Sequence, residues 1–252
     1  MIDVKNITKR YNGTVVVDGV SLSLPAGGVI SLIGANGAGK STLLSIISRL
    51  LPMSSGTVEI DGLDVTTTPG SVLARRLSIL RQDNQIMSRL TVEDLVAFGR
   101  YPHSKGRLTD EDRGHIRNAL RYLDLEPLAG RFLDELSGGQ RQRAFIAMVL
   151  CQDTKYILLD EPLNNLDVKH AVAMMKLFRR TADAFGKTIV LVLHDINFAS
   201  CYSDRIVAMR DGRVVHQGPP EEIITPEVIR DVYGVEARVM ENAGQRIALY
   251  YQ

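Results

Sequence analysis

Over about the first sixty residues, apolar and polar positions alternate with a period of two. The segments "IDVKNITKRY", "TVVVDGVSLSL" and "GTVEIDG" are rich in β-branched side chains and bounded by glycines, which predicts a small antiparallel sheet with one buried face. One stretch breaks the alternation. "GGVISLIG", residues 27–34, is almost continuously apolar, the pattern of a strand buried on both faces. The following "STLLSIISRLL" has helical spacing and stops at Pro52. From about residue 83 to 154 the period becomes helical. "TVED" (91–94) and "TDED" (109–112) resemble capping boxes, and Ile116, Leu120 and Leu123 share a face. Buried-type strands return at "YILLD" (156–160), "TIVLVLH" (188–194) and "RIVAM" (205–209), with the helical "VKHAVAMMKLFRRTADAFG" between the first two. Strands alternating with helices predict a parallel sheet. Thr225 and Pro226 read as the N-cap and first position of a helix, and "RIALYYQ" as a closing strand.

The organisation expected is one domain over 1–252. Residues 1–82 and 155–218 form an α/β core with an N-terminal antiparallel β subdomain, 83–154 an inserted α-helical subdomain, and 219–252 a C-terminal extension.

Four sites of chemistry fall on this frame. Residues 34–41, "GANGAGKS", fit the spacing GxxxxGK[ST] between a buried strand and a helix. Glycines there let successive N–H groups turn toward phosphate oxygens, and the helix dipole adds its positive end. Lys40 would neutralise the β and γ phosphates, and the Ser41 hydroxyl would ligate Mg²⁺. Four apolar residues then deliver Asp160 and Glu161 to a strand end. Asp160 is read as a Mg²⁺ ligand and Glu161 as the base that polarises the attacking water. His194, at the end of another buried strand, reaches the same sheet edge and is read as a γ-phosphate sensor. A second glycine-rich helix start, "LSGGQRQR" (136–143), carries Arg141 and Arg143 in its first turn. Positive charge there opposes the helix dipole unless an anion docks.

Composition narrows the class. The chain has 252 residues, 45% of them hydrophobic, which is ample for a buried core. Lys and Arg number 30 against 29 Asp and Glu, so the polyelectrolyte excess of a nucleic-acid binder is missing. Cys151 and Cys201 lie in apolar contexts without a CxxC spacing and are expected to be buried thiols. The longest clean apolar run, "AFIAMVLC" at 144–151, falls well short of the ~18 to 20 residues of a membrane span, and the N-terminus has charges where a signal peptide needs an apolar core.

Taken in order and at these separations, "GANGAGKST", "LSGGQRQR", "YILLDEP" and "LVLHD" resemble the ATP-binding-cassette ATPases over nearly the whole chain. The resemblance implies a P-loop NTPase fold with a RecA-like mixed or parallel sheet core, and ATP and Mg²⁺ as ligands. It implies a head-to-tail homodimer in which Ser137, Gly138, Gly139 and Gln140 of one copy face the γ-phosphate held by the other copy's Gly34, Asn36, Gly37, Ala38, Gly39, Lys40, Ser41 and Thr42. Tyr11 matches the aromatic that stacks on adenine, and Gln82 the glutamine that contacts Mg²⁺ and water. Asp167 matches the loop at the dimer seam, where Asn164 and Asn165 depart from the family's usual Ser-Ala. The motifs shared with bacterial ferric-siderophore uptake ATPases, among them "LTVEDLVAFGRYPH", "DEPLNNLD" and "VIRDVYG", imply an importer subunit. It would work at the cytoplasmic face of the inner membrane with two permease subunits, one helix of which is gripped between Gln82 and Tyr101, and indirectly with a substrate-binding protein. Uptake of vitamin B12 or haem is the alternative within transport. Cassettes that act on nucleic acid carry long heptad insertions or a second cassette, and a GTPase would need a guanine-reading NKxD; this sequence has neither.

Overall fold

A computed structural model describes residues 1–82, 88–164 and 166–250. The elements are, in chain order, β1 (Ile2–Tyr11), β2 (Thr14–Leu24), β3 (Gly28–Ile33), α1 (Lys40–Ile47), β4 (Ser55–Ile60), β5 (Leu63–Asp64), α2 (Gly70–Leu73), β6 (Leu77–Leu80), α3 (Val92–Phe98), α4 (Tyr101–Ser104) and α5 (Asp110–Tyr122). There follow α6 (Gly138–Cys151), β7 (Tyr156–Asp160), α7 (Val168–Phe185), β8 (Thr188–Val192), α8 (Ile196–Tyr202), β9 (Arg205–Arg210), β10 (Arg213–Gly218), α9 (Pro220–Ile223), α10 (Pro226–Tyr233), β11 (Arg238–Asn242) and β12 (Gln245–Leu249). They fall into two compact units, Met1–Thr68 with Met174–Gln252, and Pro69–Ala173.

In the first unit the alternating segments form the expected antiparallel sheet, in the order β2-β1-β4-β5. Register pairs Ile2 with Leu24 and Ile60, and Val4 with Leu22 and Val58, so one apolar row crosses three strands and is buried. Each such side chain contributes roughly 1.5–3 kcal/mol relative to exposure. The continuous apolar run becomes β3, paired in parallel with β8 on one side (Ile30 with Val190) and β9 on the other (Leu32 with Val207). Being central, it buries Val29, Ile30, Leu32 and Ile33. β10 adds to β9 antiparallel, so the sheet is mixed. Thr225 caps α10 with Pro226 in its first turn, as expected. The closing strand pairs with β11, and α8 holds it side chain to backbone: Ala248 N donates to Asn197 Oδ1 at 2.8 Å and Asn197 Nδ2 to the Ala248 carbonyl at 3.2 Å.

In the second unit β6 and β7 pair in parallel, Leu77 with Tyr156. Both expected capping boxes form, Thr91 with Asp94 and Thr109 with Asp112. Ile116, Leu120 and Leu123 are buried, as are Ala144, Phe145, Ile146, Ala147 and Val149 of α6. A buried ion pair fastens these helices. Arg100 Nε donates to Asp112 Oδ1 at 2.8 Å, and Arg100 Nη1 to the Cys151 carbonyl at the end of α6 at 3.0 Å. The Thr109 N–H first, and the Arg100 guanidinium next, hold the Asp112 carboxyl at about 2.

Both cysteines are free thiols. Cys151 is buried, and desolvation pushes its thiol up to about 12. Cys201 is only half-buried, a correction to the expectation, because α8 carries it toward the edge of its apolar face. No helix among the described residues is long and apolar enough to cross a membrane.

Candidate functional site

The first unit carries the glycine-rich loop. β3 ends at Ile33, and Gly34 (φ +143°) turns so close to β9 that an added Cβ would lie 2.1 Å from the Met209 carbonyl oxygen. The Gly34 N–H donates to the Tyr233 hydroxyl at 3.0 Å. Gly39 (φ +95°) starts α1 in the left-handed region, where a Cβ would lie 2.7 Å from the Val16 carbonyl oxygen. Asn36 and Gly37 are exposed at the tip, whereas Ala38 is buried. Lys40 is buried, and its ammonium donates to the carbonyls of Gly34 at 2.8 Å and Ala35 at 3.0 Å. Ser41 and Thr42 are half-buried in the first turn of α1.

These residues fit a polyphosphate. No side chain caps α1 and its first turn holds no acid, so first-turn N–H groups, dipole and ammonium are arranged for an anion from outside. Tyr11, at the end of β1, is 44% exposed, and Lys9 Nζ lies 5.0 Å from its ring centroid. His194 is exposed, just past β8. The next residue, Asp195, caps α8 by accepting from Asn197 N at 2.8 Å and Phe198 N at 3.1 Å.

The second unit brings Gln82 and Glu161 together. Asp160 ends β7 and is buried, while Glu161 is half-buried with φ +50°. A non-glycine residue held there costs about 1–3 kcal/mol, a strain that concentrates at functional sites. Two side-chain amides converge on one of its oxygens: Gln82 Nε2 donates to Glu161 Oε2 at 2.7 Å and Asn164 Nδ2 to the same atom at 2.5 Å. Gln142 of α6 donates to the Pro162 carbonyl, one residue further, at 3.0 Å. Asp167 accepts from the His170 N–H at 2.8 Å and pairs with His170 Nδ1 at 2.7 Å; those bonds hold its carboxyl below the usual range. Asn165 and the segment 83–87 lie outside the described residues.

Also in this unit, Ser137 caps α6 in a reciprocal box. Gln140 N donates to Ser137 Oγ at 3.3 Å, and Ser137 N to Gln140 Oε1 at 3.0 Å. Gly138 and Gly139 lie within the helix. The two arginines have local partners: Arg143 Nη1 donates to the Leu123 carbonyl at the end of α5 at 3.2 Å, and Arg141 lies 5.9 Å from the Phe145 ring. Tyr233, Asn164 and Gln142 were not among the expected site residues. All three lie in motifs legible in the sequence, Tyr233 in "VIRDVYG", Gln142 in "LSGGQRQR" and Asn164 in "DEPLNNLD", where it departs from Ser.

Residues 17–164, well over half the chain, match the family model described as ABC transporter. The chain belongs to the ABC transporter family. Its fold is the P-loop NTPase fold of that family, and it is an ABC ATPase. It is 54% identical over 251 residues to the petrobactin import ATP-binding protein YclP of Bacillus subtilis (strain 168), covering 100% of both chains. Against the petrobactin import ATP-binding protein FatE of Bacillus anthracis it is 49% identical, over 99% of this chain and 100% of the relative. Among solved structures, a dimeric post-hydrolysis state of the ATP-binding cassette MJ0796 bound to ADP and Pi superposes with a TM-score of 0.78 at 30% identity, covering 87% of this chain and 99% of that one.

Proposed function

We propose that this ABC ATPase is the ATP-hydrolysing subunit of a bacterial importer of ferric siderophores, bound to two permease subunits at the cytoplasmic face of the membrane. The observation that carries this reading is the 54% identity to a petrobactin import protein across the full length of both chains, far beyond the nucleotide motifs. The permease contact is assigned to the stretch from Gln82 to Tyr101, where Phe98 and Tyr101 present 52% and 61% of their surface. Residues 83–154 are assigned to a helical subdomain and 219–252 to a C-terminal extension.

In this reading ATP is the substrate. Gly34 turns the chain into the loop, the N–H groups of residues 36–42 and the Lys40 ammonium take its phosphates, and Tyr11 takes adenine. Ser137, Gly138, Gly139 and Gln140 of a second, head-to-tail copy complete the pocket, with Asp167 at the seam. Mg²⁺ would be held by Ser41, Gln82 and Asp160, whose hydroxyl, amide and carboxylate oxygens are the hard donors it prefers, and it supplies neutralisation of phosphate charge. Glu161 orients the attacking water and accepts its proton as the water oxygen bonds the γ-phosphorus. The bond from that phosphorus to the β,γ-bridging oxygen breaks, and ADP leaves with the bond's electron pair. His194 contacts the γ-phosphate and positions it.

The test is growth of a strain lacking this chain on limiting iron supplied as ferric petrobactin. The parental gene should restore growth and Glu161→Gln should not, although Glu161→Gln protein retains ATP binding. A strain that grows normally on ferric siderophores but fails on haem or cobalamin overturns the substrate assignment. Hydrolysis by Glu161→Gln at the parental rate overturns the base.

A further inference from the structure

A hydrogen bond joins the C-terminal segment to the glycine-rich loop at a half-buried position. Tyr233 is the last residue of α10, and its hydroxyl accepts the Gly34 N–H across 199 positions of sequence. Only glycine fits at position 34, since the Met209 carbonyl occupies the place a Cβ would take. Its amide is directed at the Tyr233 hydroxyl and not at a phosphate. We propose that Tyr233 is a positioning residue that fixes where the phosphate loop leaves β3, so that the C-terminal segment sets the loop's readiness for ATP.

The helix bearing Tyr233 is itself anchored to the strand on which Gly34 leans. Arg210, at the end of β9, donates through Nη1 to the Asp231 carbonyl at 2.6 Å and to the Asp231 carboxylate, whose second oxygen pairs with His216 Nε2 at 2.8 Å. Ile229 and Val232 bury the inner face of α10, and Gly234 closes it. The loop's first residue is thus held from one side by β9 and from the other by a helix tied to β9. Burial pushes the Tyr233 hydroxyl up to about 12, against the Gly34 N–H, which lowers it, and with the Asp195 carboxylate adding to the rise. It therefore stays a neutral acceptor throughout the working pH range. Asp195 directly follows His194, so Tyr233 lies in the field of the other nucleotide-facing segment of this unit as well.

The inference rests on reading residues 34–42 as the ATP phosphate site, and a paired experiment separates the two. ATP affinity is measured by calorimetry, and steady-state hydrolysis by phosphate release, for the parental chain, Tyr233→Phe and Lys40→Ala. Tyr233→Phe keeps the ring and deletes only the acceptor. A net hydrogen bond lost from the binding-competent loop corresponds to about a fivefold change in an equilibrium constant. Kd and KM for ATP should accordingly rise about fivefold, with kcat at saturating ATP falling less than twofold and the Gly34 amide exchanging its hydrogen faster. If Lys40→Ala loses ATP binding while Tyr233→Phe keeps the parental Kd and KM, Tyr233 is only part of the packing and the inference fails. If Lys40→Ala binds ATP like the parent, it is the phosphate-site reading that fails.

Discussion

The phosphate loop and the "LSGGQ" turn look alike as sequences, each a glycine-rich approach to a helix, yet the fold treats them in opposite ways. In the loop, Gly34 and Gly39 have positive φ and press against the carbonyls of Met209 and Val16, so their own surroundings demand glycine. In the turn, Gly138 and Gly139 are helical. A Cβ on Gly138 would meet nothing within 4 Å, and one on Gly139 only a Leu166 methyl at 3.5 Å. Glycine inside a helix is worse than alanine by about 0.5–1 kcal/mol. The loop also leaves α1 without a side-chain cap, whereas Ser137 and Gln140 cap α6 reciprocally. The fold thus accounts for Gly34 and Gly39 of the loop, and the surroundings of Gly138 and Gly139 in the turn leave room for a side chain. A partner's phosphate approaching the helix start is the occupant that the proposed shared pocket provides.

The largest effect that bears on this contrast comes from the support under the turn. Arg100 holds Asp112 of α5 and the carbonyl that ends α6, and α6 carries the turn at its other end. Removing one partner of a buried ion pair costs about 3–5 kcal/mol. Arg100→Ala should destabilise the chain by that order in urea titrations and depress hydrolysis, while ATP binding at the phosphate loop persists in the fraction that stays folded. Acid probes the same pair. Because the folded Asp112 carboxyl is held at about 2, its stabilisation is complete above the ordinary carboxylate range and fades as pH falls toward 2. Arg100→Ala should flatten that part of the stability profile only partially, since the Thr109 N–H, the larger cause, remains. An unchanged profile removes Arg100 as the support.

Exchanging the glycines tests the contrast itself. Gly34→Ala forces a methyl onto backbone and should cost about 1–3 kcal/mol or more in folding stability. Gly138→Ala should leave stability unchanged or raise it by up to about 1 kcal/mol, and yet lower hydrolysis about a hundredfold, because the added methyl holds the second copy's phosphate off the helix-start N–H groups, an effect comparable to losing a donor to developing charge. Thermal melts read the first quantity and phosphate release the second. A Gly138→Ala chain that is stable and fully active would mean that no second copy uses this turn.

Much of this frame was legible because periodicity and capping are local. The period-two rows of β1 and β4, the continuous run of β3 and the Thr91 and Thr109 boxes each follow from residues a few positions apart. The phosphate loop was legible for the same reason, its chemistry being compressed into eight consecutive residues. What could not be read joins distant segments. Nothing near Gly34 announces Tyr233, and nothing in "DINFA" says that Asn197 will pair with the backbone of β12. Arg143 was read as charge awaiting an anion; the structure gives one of its N–H groups to the end of α5, a partner fixed by helix packing and not by sequence spacing.

The smallest effect concerns the departure at Asn164. Where the family more often has Ser, this chain places an amide that donates to Glu161 Oε2 at 2.5 Å, beside the Gln82 amide at 2.7 Å. Two donors on one oxygen fix the carboxylate in a residue whose backbone is already held at φ +50°. Such a bond to a charged group is worth about 1.5–3 kcal/mol when fully desolvated, and less at this half-buried position. Asn164→Ala should therefore lower kcat only about three- to tenfold and leave KM for ATP nearly unchanged, because phosphate contacts are untouched. Asn164→Asp keeps the shape but sets a second carboxylate against the first, so it should be slower than Asn164→Ala. Side-chain volume alone would rank the two variants the other way, so steady-state hydrolysis at saturating ATP decides whether Asn164 serves Glu161 or only fills space.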